Sequence, residues 1–340
     1  MHMADALISP AVGGAMWAAT ATLIGYCSKK VKQALDDRKI PLMGVLGAFI
    51  FAAQMINFTI PATGSSGHLG GGLLLAIMLG PPAAFLVMAS VLTVQALFFA
   101  DGGLLALGCN IFNLGFFPCF LAYPLIYKPI AGGAPRKVRL FLGSSCAAIV
   151  GLQFGALGVV LETVVSGIAE LSFVKFALLM QPIHLAIGLV EGLVTATVLI
   201  FIWQARPELL DRPASGRLPG QTSLKPVLLG LLAAAIVIGG IVSWFASTRP
   251  DGLEWALFHA SGKETLQAPA TSVHSASAKI QEQTAVLPDY QVKTSTPPTN
   301  ERANAQPTVD AGKSLAGLLG GAVIFAIVML LGVGFRFGRH

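Results

Sequence analysis

The sequence predicts an all-α, polytopic helical membrane protein, and three observations carry that expectation. Its mean hydropathy is +0.74, with 54% hydrophobic and 11% charged residues in a chain of 340. Apolar runs of about 20 residues recur, each long enough or nearly so to cross a ~30 Å hydrocarbon core at about 1.5 Å per residue. The basic residues fall between these runs, in short loops.

Taken in order, the runs predict helices over residues 10–28, 41–60, 70–100, 104–127, 140–167, 180–203, 226–246 and 316–335. Lys29, Lys30, Lys32, Arg38 and Lys39 crowd the first loop, whereas residues 1–9 and 61–70 carry no basic residue. Cytoplasmic loops hold the excess of Lys and Arg, so this loop is expected inside and Met1, His2 and His68 outside. Lys128, Arg136, Lys137 and Arg139 mark a second cytoplasmic loop, Arg206, Arg212, Arg217 and Lys225 a third, and Arg336 and Arg339 a cytoplasmic tail. An odd number of crossings must then separate His68 from Lys128. The break Gly80-Pro81-Pro82 is expected to divide 70–100 into two short spans, giving about seven spans in the first domain. The alternative is one long span followed by a re-entrant segment at "ADGGLLALGCN".

Three regions follow: a transmembrane domain over 1–209, a Pro/Gly/Ser-rich cytoplasmic linker over 210–225, and a two-span hairpin over 226–340 enclosing an external loop, 247–314. The polar middle of that loop, 265–305, is expected to be flexible. Cys27, Cys109, Cys119 and Cys146 lie in or beside apolar runs with no CxxC spacing and read as packing residues. The net charge of +6 belongs to membrane topology, so nucleic acid is not an expected partner; the bilayer is. No cleavable signal peptide precedes the first run, so Met1 is expected to be retained with a free amine.

That amine matters because His2 follows it. The Met1 amine, the His2 backbone nitrogen and the His2 imidazole can close a five- and a six-membered chelate ring, offering three coplanar nitrogens that suit square-planar Ni(II) or Cu(II). His68, expected on the same face in "PATGSSGHLGGG", is the natural fourth nitrogen. Each histidine also has an ordinary reading, an incidental second residue and a solvated loop residue, and the residues alone do not choose.

"MHMADALISP", "QMINFTIPATGSSGHLGGGLLLAIMLGP", "VQALFFADGGLLALGCNIFNLG" and "HLAIGLVEGLVTA" resemble the CbiM/NikM family over roughly residues 1–205. These are the substrate-capture components of energy-coupling-factor transporters for cobalt and nickel. The resemblance implies a planar metal site at Met1, His2 and His68. It also implies uptake in the cytoplasmic (inner) membrane powered by partners, a membrane coupling subunit and ATP-binding cassette ATPases. "RPDGLEWALF" and "LPDY" resemble the PDGLE-type small subunit of nickel systems, here fused over about 225–340, which shifts the expected cargo toward Ni(II) with Co(II) as the alternative. The start "MHMADAL" is a variant of the family's usual one; the ligands are unaffected.

Other residues are candidates for lesser roles. Gln181, His184, Gly188 and Glu191 share one helical face, where ionisable groups are costly and turn toward the bundle interior. His184 and Glu191 could couple to a partner or cap the pocket, or form a hydrogen-bonded pair that fixes packing. Asn57, Asn110 and Asn113 could support the loop carrying His68, or serve interhelical packing. Gly151-x-x-x-Gly155, Gly188-x-x-x-Gly192 and Gly317-x-x-x-Gly321 fit close helix approach. Asp251 and Glu254 of "PDGLEW" could dock near the pocket mouth, whereas His259 and His274 could hand metal to the pocket but read more readily as solvated. "AGKS" at 311–314 resembles the end of a phosphate loop but has Pro307 where that motif needs Gly and no preceding strand. No enzyme motif and no resident cofactor is expected, and ATP hydrolysis would fall to separate subunits. A secondary transporter or channel is the rival class; it would call for internal repeats, which are not seen.

Overall fold

Helix follows hydropathy along most of the chain, and the departures are where the chain bends toward one end of the bundle. The computed structural model describes residues 1–34, 36–132, 136–210, 223–263, 266–292 and 310–337. Helix α1 covers Pro10–Ala34, opened by a proline whose missing N–H costs nothing at that position. Helix α2, Lys39–Gln54, stops earlier than the hydropathy predicts and gives way to the irregular segment 55–71. Two short antiparallel strands, β1 (Phe58–Thr59) and β2 (Ser66–Gly67), brace that segment.

Gly80 does turn the chain, but the halves are unequal. Helix α3, Gly72–Leu79, has eight residues, about 12 Å, while α4, Pro81–Phe99, has nineteen. His68, before α3, and Asp101, after α4, line the same cavity, so the pair runs down and back. The expected two short spans are thus a half-length helix and a full one, the missing length supplied by non-helical chain around His68. Glycine is required at the start of α3: Gly71 has φ +79°, a conformation that side chains strain.

Helix α5, Leu107–Ala131, is π-helical over Phe112–Tyr127, where Pro118 and Pro124 remove two donors from the α-type ladder. Helices α6 (Lys137–Ser166) and α7 (Phe173–Ala205) pack closely because Gly188 and Gly192 face the α6 backbone at Ile149 and Ser145. Leu185, Leu189 and Leu193 leave the opposite face of α7 apolar and exposed, while His184, Gly188 and Glu191 are buried. That division suits a helix between lipid and a polar interior.

The linker expected at 210–225 lies largely outside the described residues, at 211–222. After it come α8 (Lys225–Gly240), α9 (Gly252–Ser261), α10 (Ser272–Thr284) and α11 (Ala311–Phe337). Helix α11 packs its Ile324 and Phe325 against Gly47 and Gly44 of α2, and Gly317 meets the backbone of Gly239 on α8. At the far end Arg336 pairs with Asp37 in the first loop at 3.2 Å. One part of the expected flexible loop is ordered instead. Thr271 caps α10, and Gln281 donates to the carbonyls of Ala96 (3.0 Å) and Gly102 (2.7 Å), docking the helix over the end of α4. Residues 293–309 of that loop lie outside the described residues.

Five of these helices are long and apolar enough to cross a membrane, with α2 and α8 as shorter apolar helices. A Cβ on Gly192 would stand 2.5 Å from Ser145 Cα, backbone that cannot move aside. Gly192→Leu is therefore expected to lower stability by about 1–3 kcal/mol, the usual cost of overpacking, seen as a lower melting temperature in detergent. Gly14→Ala, in the same kind of helix but with open space around it, should not lower the melting temperature.

Candidate metal centre

The first nine residues are held against one end of the bundle, with Met1, Met3, Leu7 and Ile8 buried. Met3 N–H donates to Asn110 Oδ1 (2.8 Å), Asn110 Nδ2 donates to Met3 O (3.2 Å) and Gly103 N–H donates to the same carbonyl (2.8 Å). Asp5 Oδ1 accepts from Ala106 N–H at 3.0 Å, at the approach to α5. From the C-terminal domain, His274 Nε2 reaches Ile8 O at 3.0 Å and Asp5 O at 3.2 Å. The expectation of a solvated His274 is therefore corrected: it is 3% exposed and pins the N-terminal segment. His259 stays on α9, bonded to Trp255 O and stacked on the indole.

So held, Met1 is buried, and its amine lies 3.5 Å from His68 Nε2 and 3.5 Å from Asp251 Oδ2. The rings of His2 and His68 stack at 4.9 Å. The structure thus brings the amine and its neighbour His2 together with His68, 66 residues beyond His2.

Hydrogen bonding selects the nitrogen each imidazole offers. His68 Nδ1 lies 3.0 Å from Leu69 O, to which only N–H can donate, so Nε2 faces the amine as a lone pair. For His2 the choice is made by two glutamines. Gln54 Nε2 donates to Gly70 O (2.8 Å), Gln95 Nε2 donates to Gln54 Oε1 (2.8 Å), and Gln95 Oε1 is left to accept from His2 Nε2–H at 3.2 Å. In the neutral ring His2 Nδ1 is then the nitrogen without a proton, and Asp101 Oδ1 stands 3.5 Å from it, where it pairs with the ring only when that nitrogen is protonated. Burial pushes both imidazoles toward the neutral form. His2 is lowered by burial against the opposing pull of Asp101, and His68 falls to about 3 through burial, the nearby N-terminal ammonium and His2. Burial alone would raise Asp251, but the ammonium and the Glu254 N–H outweigh it and hold the carboxylate ionised.

The loop bearing His68 is held by Glu191, while the asparagines make contacts elsewhere, nearer the packing reading of them. Glu191 accepts the N–H groups of Gly70 (2.7 Å) and Gly71 (3.0 Å). Asn110 serves the N-terminal segment, and Asn113 donates to Glu162 (2.7 Å) while its Oδ1 faces Gly158. Asn57 accepts Ser247 N–H through its backbone (2.7 Å) and lines the cavity shared by His68 and Asp101. His184 and Glu191 do not bond to each other: His184 Nδ1–H donates to Met180 O at 2.8 Å. Gln181 and Gln153 exchange bonds with each other's backbone and tie α7 to α6.

The segment "PDGLE" is a helix start. Asp251 Oδ1 accepts Glu254 N–H (2.8 Å) and Glu254 Oε2 accepts Asp251 N–H (3.0 Å), a reciprocal cap on α9. Gly252 presses on Ile183, and Pro250 O takes Ser66 N–H at 2.8 Å, so the motif also clamps the strand before His68. A cavity of about 430 Å³ opens over the cluster, with Asp101, Asp251, Glu254 and Asp289 among its walls and Arg249 as a cation. Among the described residues no three His, Cys, Asp or Glu side chains converge as a metal site; what converges is two imidazoles and a backbone end.

Residues 2–209 match the family described as cobalt uptake substrate-specific transmembrane region, CbiM, and residues 225–337 match the PDGLE domain. The chain belongs to the CbiM family. This CbiM chain is 34% identical to a putative fused nickel transport protein, NikMN, of Archaeoglobus fulgidus, over 72% of its own length and 77% of the relative's. It is 36% identical to a putative metal transport protein of Haloquadratum walsbyi, over 62% and 93% of the two chains. A crystal structure described as a truncated transition metal transporter superposes with a TM-score of 0.54 at 31% identity, covering 60% of this chain and 99% of that one.

Gln54, Gln95 and Asp101 were not legible as site residues: two uncharged amides inside apolar runs and one loop acid carry no spacing signal. Glu191→Ala would leave two buried N–H groups unpaired, each costing about 1–3 kcal/mol. The expected result is a lower melting temperature with faster amide exchange confined to 68–72, and Glu191→Gln, which keeps one acceptor, should fall between.

Proposed function

We propose that this chain is the substrate-specific component of an ATP-driven, energy-coupling-factor transporter that takes up Ni(II). The ion is bound in a plane by the Met1 amine, the His2 backbone nitrogen, His2 Nδ1 and His68 Nε2. The observation that carries the reading is the amine lying 3.5 Å from His68 Nε2, beside a His2 whose free nitrogen is Nδ1, the one that closes a six-membered chelate. With metal–nitrogen bonds of about 2.0 Å, adjacent corners of a square stand about 2.8 Å apart, so the amine and His68 need only a small closure. Neutral imidazoles lower the proton cost of binding, which then falls on the amine and the amide.

Asp251 balances the ammonium until the metal replaces its proton, and the carboxylate-lined cavity attracts cations from the outer side. The outer face is the one bearing Met1, and the C-terminus is cytoplasmic, as the distribution of Lys and Arg supports. A membrane coupling subunit and separate ATPases supply the energy. The family description favours a second cargo, Co(II), and competition between the two ions on the purified chain decides. Cu(II) should bind in vitro at least as tightly.

The deciding experiment is a Ni(II) titration of the detergent-purified chain, followed by ligand-field absorption, after intact mass has verified a free Met1 amine. The native N-terminus should give a one-to-one square-planar spectrum, and two extra residues ahead of Met1 should abolish it. Equal binding by both forms overturns the site. Gln95→Leu removes the acceptor that sets the His2 tautomer. It should weaken Ni(II) binding by about 10–100-fold, the range for groups that orient a ligand, without changing stoichiometry in calorimetry.

A further inference from the structure

Two cavities meet at the ligand cluster. The outer one, about 430 Å³, is lined by His2, His68 and Asp251; the inner one, with about 10 Å³ for the centre of a water-sized sphere, by Met1, His68, Asp251 and His184. His2 therefore fronts only the outer cavity and His184 only the inner, while His68 and Asp251 front both.

His184 is 1% exposed. Its Nδ1–H is spent on Met180 O, which leaves Nε2 as a lone pair, and that nitrogen has no hydrogen-bond partner. An acceptor so buried and so bare is disfavoured in the resting protein; an electrophile in the cavity would satisfy it. The room suits one water or one bare ion, and a fully hydrated ion, with several waters of about 30 Å³ each, does not fit. Another small cavity shares Gly70, Leu114 and Leu152 with this one and is lined by Glu191, about 10 Å further along α7.

We propose that His184 Nε2 is the next ligand of the transported metal, taking the ion from the planar site into the inner cavity while His68 stays bound. The inference rests on the planar reading above. The ion exchanges the Met1–His2 chelate for His184 with no change of oxidation state, and the released amine and amide nitrogens each take up a proton from solvent. His68 is the shared ligand, and the metal moves without regaining its hydration shell.

The test compares the full-length wild-type chain with His184→Gln in two measurements: the planar Ni(II) titration, and the initial rate of radioactive nickel uptake by cells carrying the chain with its transport partners. The expected result is a planar spectrum with a midpoint within threefold of wild type and an uptake rate at least tenfold lower. A third measurement reads the inner position directly. In the chain extended ahead of Met1, Co(II) should still give the intense absorption of a non-planar complex, and His184→Gln should remove it. Wild-type uptake by His184→Gln overturns the proposal, as does loss of its planar spectrum, which would put His184 in support of the plane. Absence of a planar spectrum from the wild type strikes instead at the site reading. Should His184→Gln fail to fold, Leu152→Phe, which fills the same cavity from α6, decides by the same expectations.

Discussion

Bringing the charged end of a chain into an apolar interior is the constraint to which the rest of this structure answers. A buried ammonium is costly unless it is paired and hydrogen-bonded, and the pairing here comes from Asp251 at 3.5 Å. The residues behind it must also lie still, since one free end is tethered from one side only. Asn110 grips both backbone atoms of Met3, Asp5 holds the approach to α5, and His274 closes over Ile8. Remove these and the first residues would sample too many conformations to keep the amine beside His68 and Asp251.

Asp251 does two jobs with two oxygens. One caps α9, and the other faces the amine. A carboxylate free to rotate would gain less from the amine, because part of the attraction would go to ordering the side chain. Capping fixes it beforehand, so Glu254 contributes through the cap and needs no contact with the cluster. The same segment clamps the strand before His68 through Ser66, so one short motif positions both the counter-charge to the amine and the His68 imidazole.

How much of this was legible in the sequence follows from what leaves a periodic or directional trace. Spans leave length and hydropathy, and loop charge leaves sidedness, which together put Met1, His2 and His68 at one end. What leaves no trace is pairing between distant residues. Gln54 and Gln95 are merely polar positions in apolar runs, and only the fold reveals that their amides set a tautomer. Asn110 was visible as a polar residue near that end, but its partner was not. The polar loop composition around His274 argued for solvent, whereas capping by Thr271 and the carbonyls of Ile8 and Asp5 won. Likewise Gly80 announced a turn, but not that α3 would begin only at Gly72, after the non-helical segment carrying His68.

The clamp and the site it closes also stand far apart in time. Asp251 and His274 are made roughly 250 to 270 residues after Met1 and Asp5. At about 5–20 residues per second of synthesis, the N-terminal segment waits roughly 10–50 s for its partners. Until then its ammonium has no counter-charge from α9 and its backbone lacks the His274 lock. In a protein whose two parts were separate chains, that wait would last until they met; joined in one chain, it ends with the same passage through the ribosome that began it.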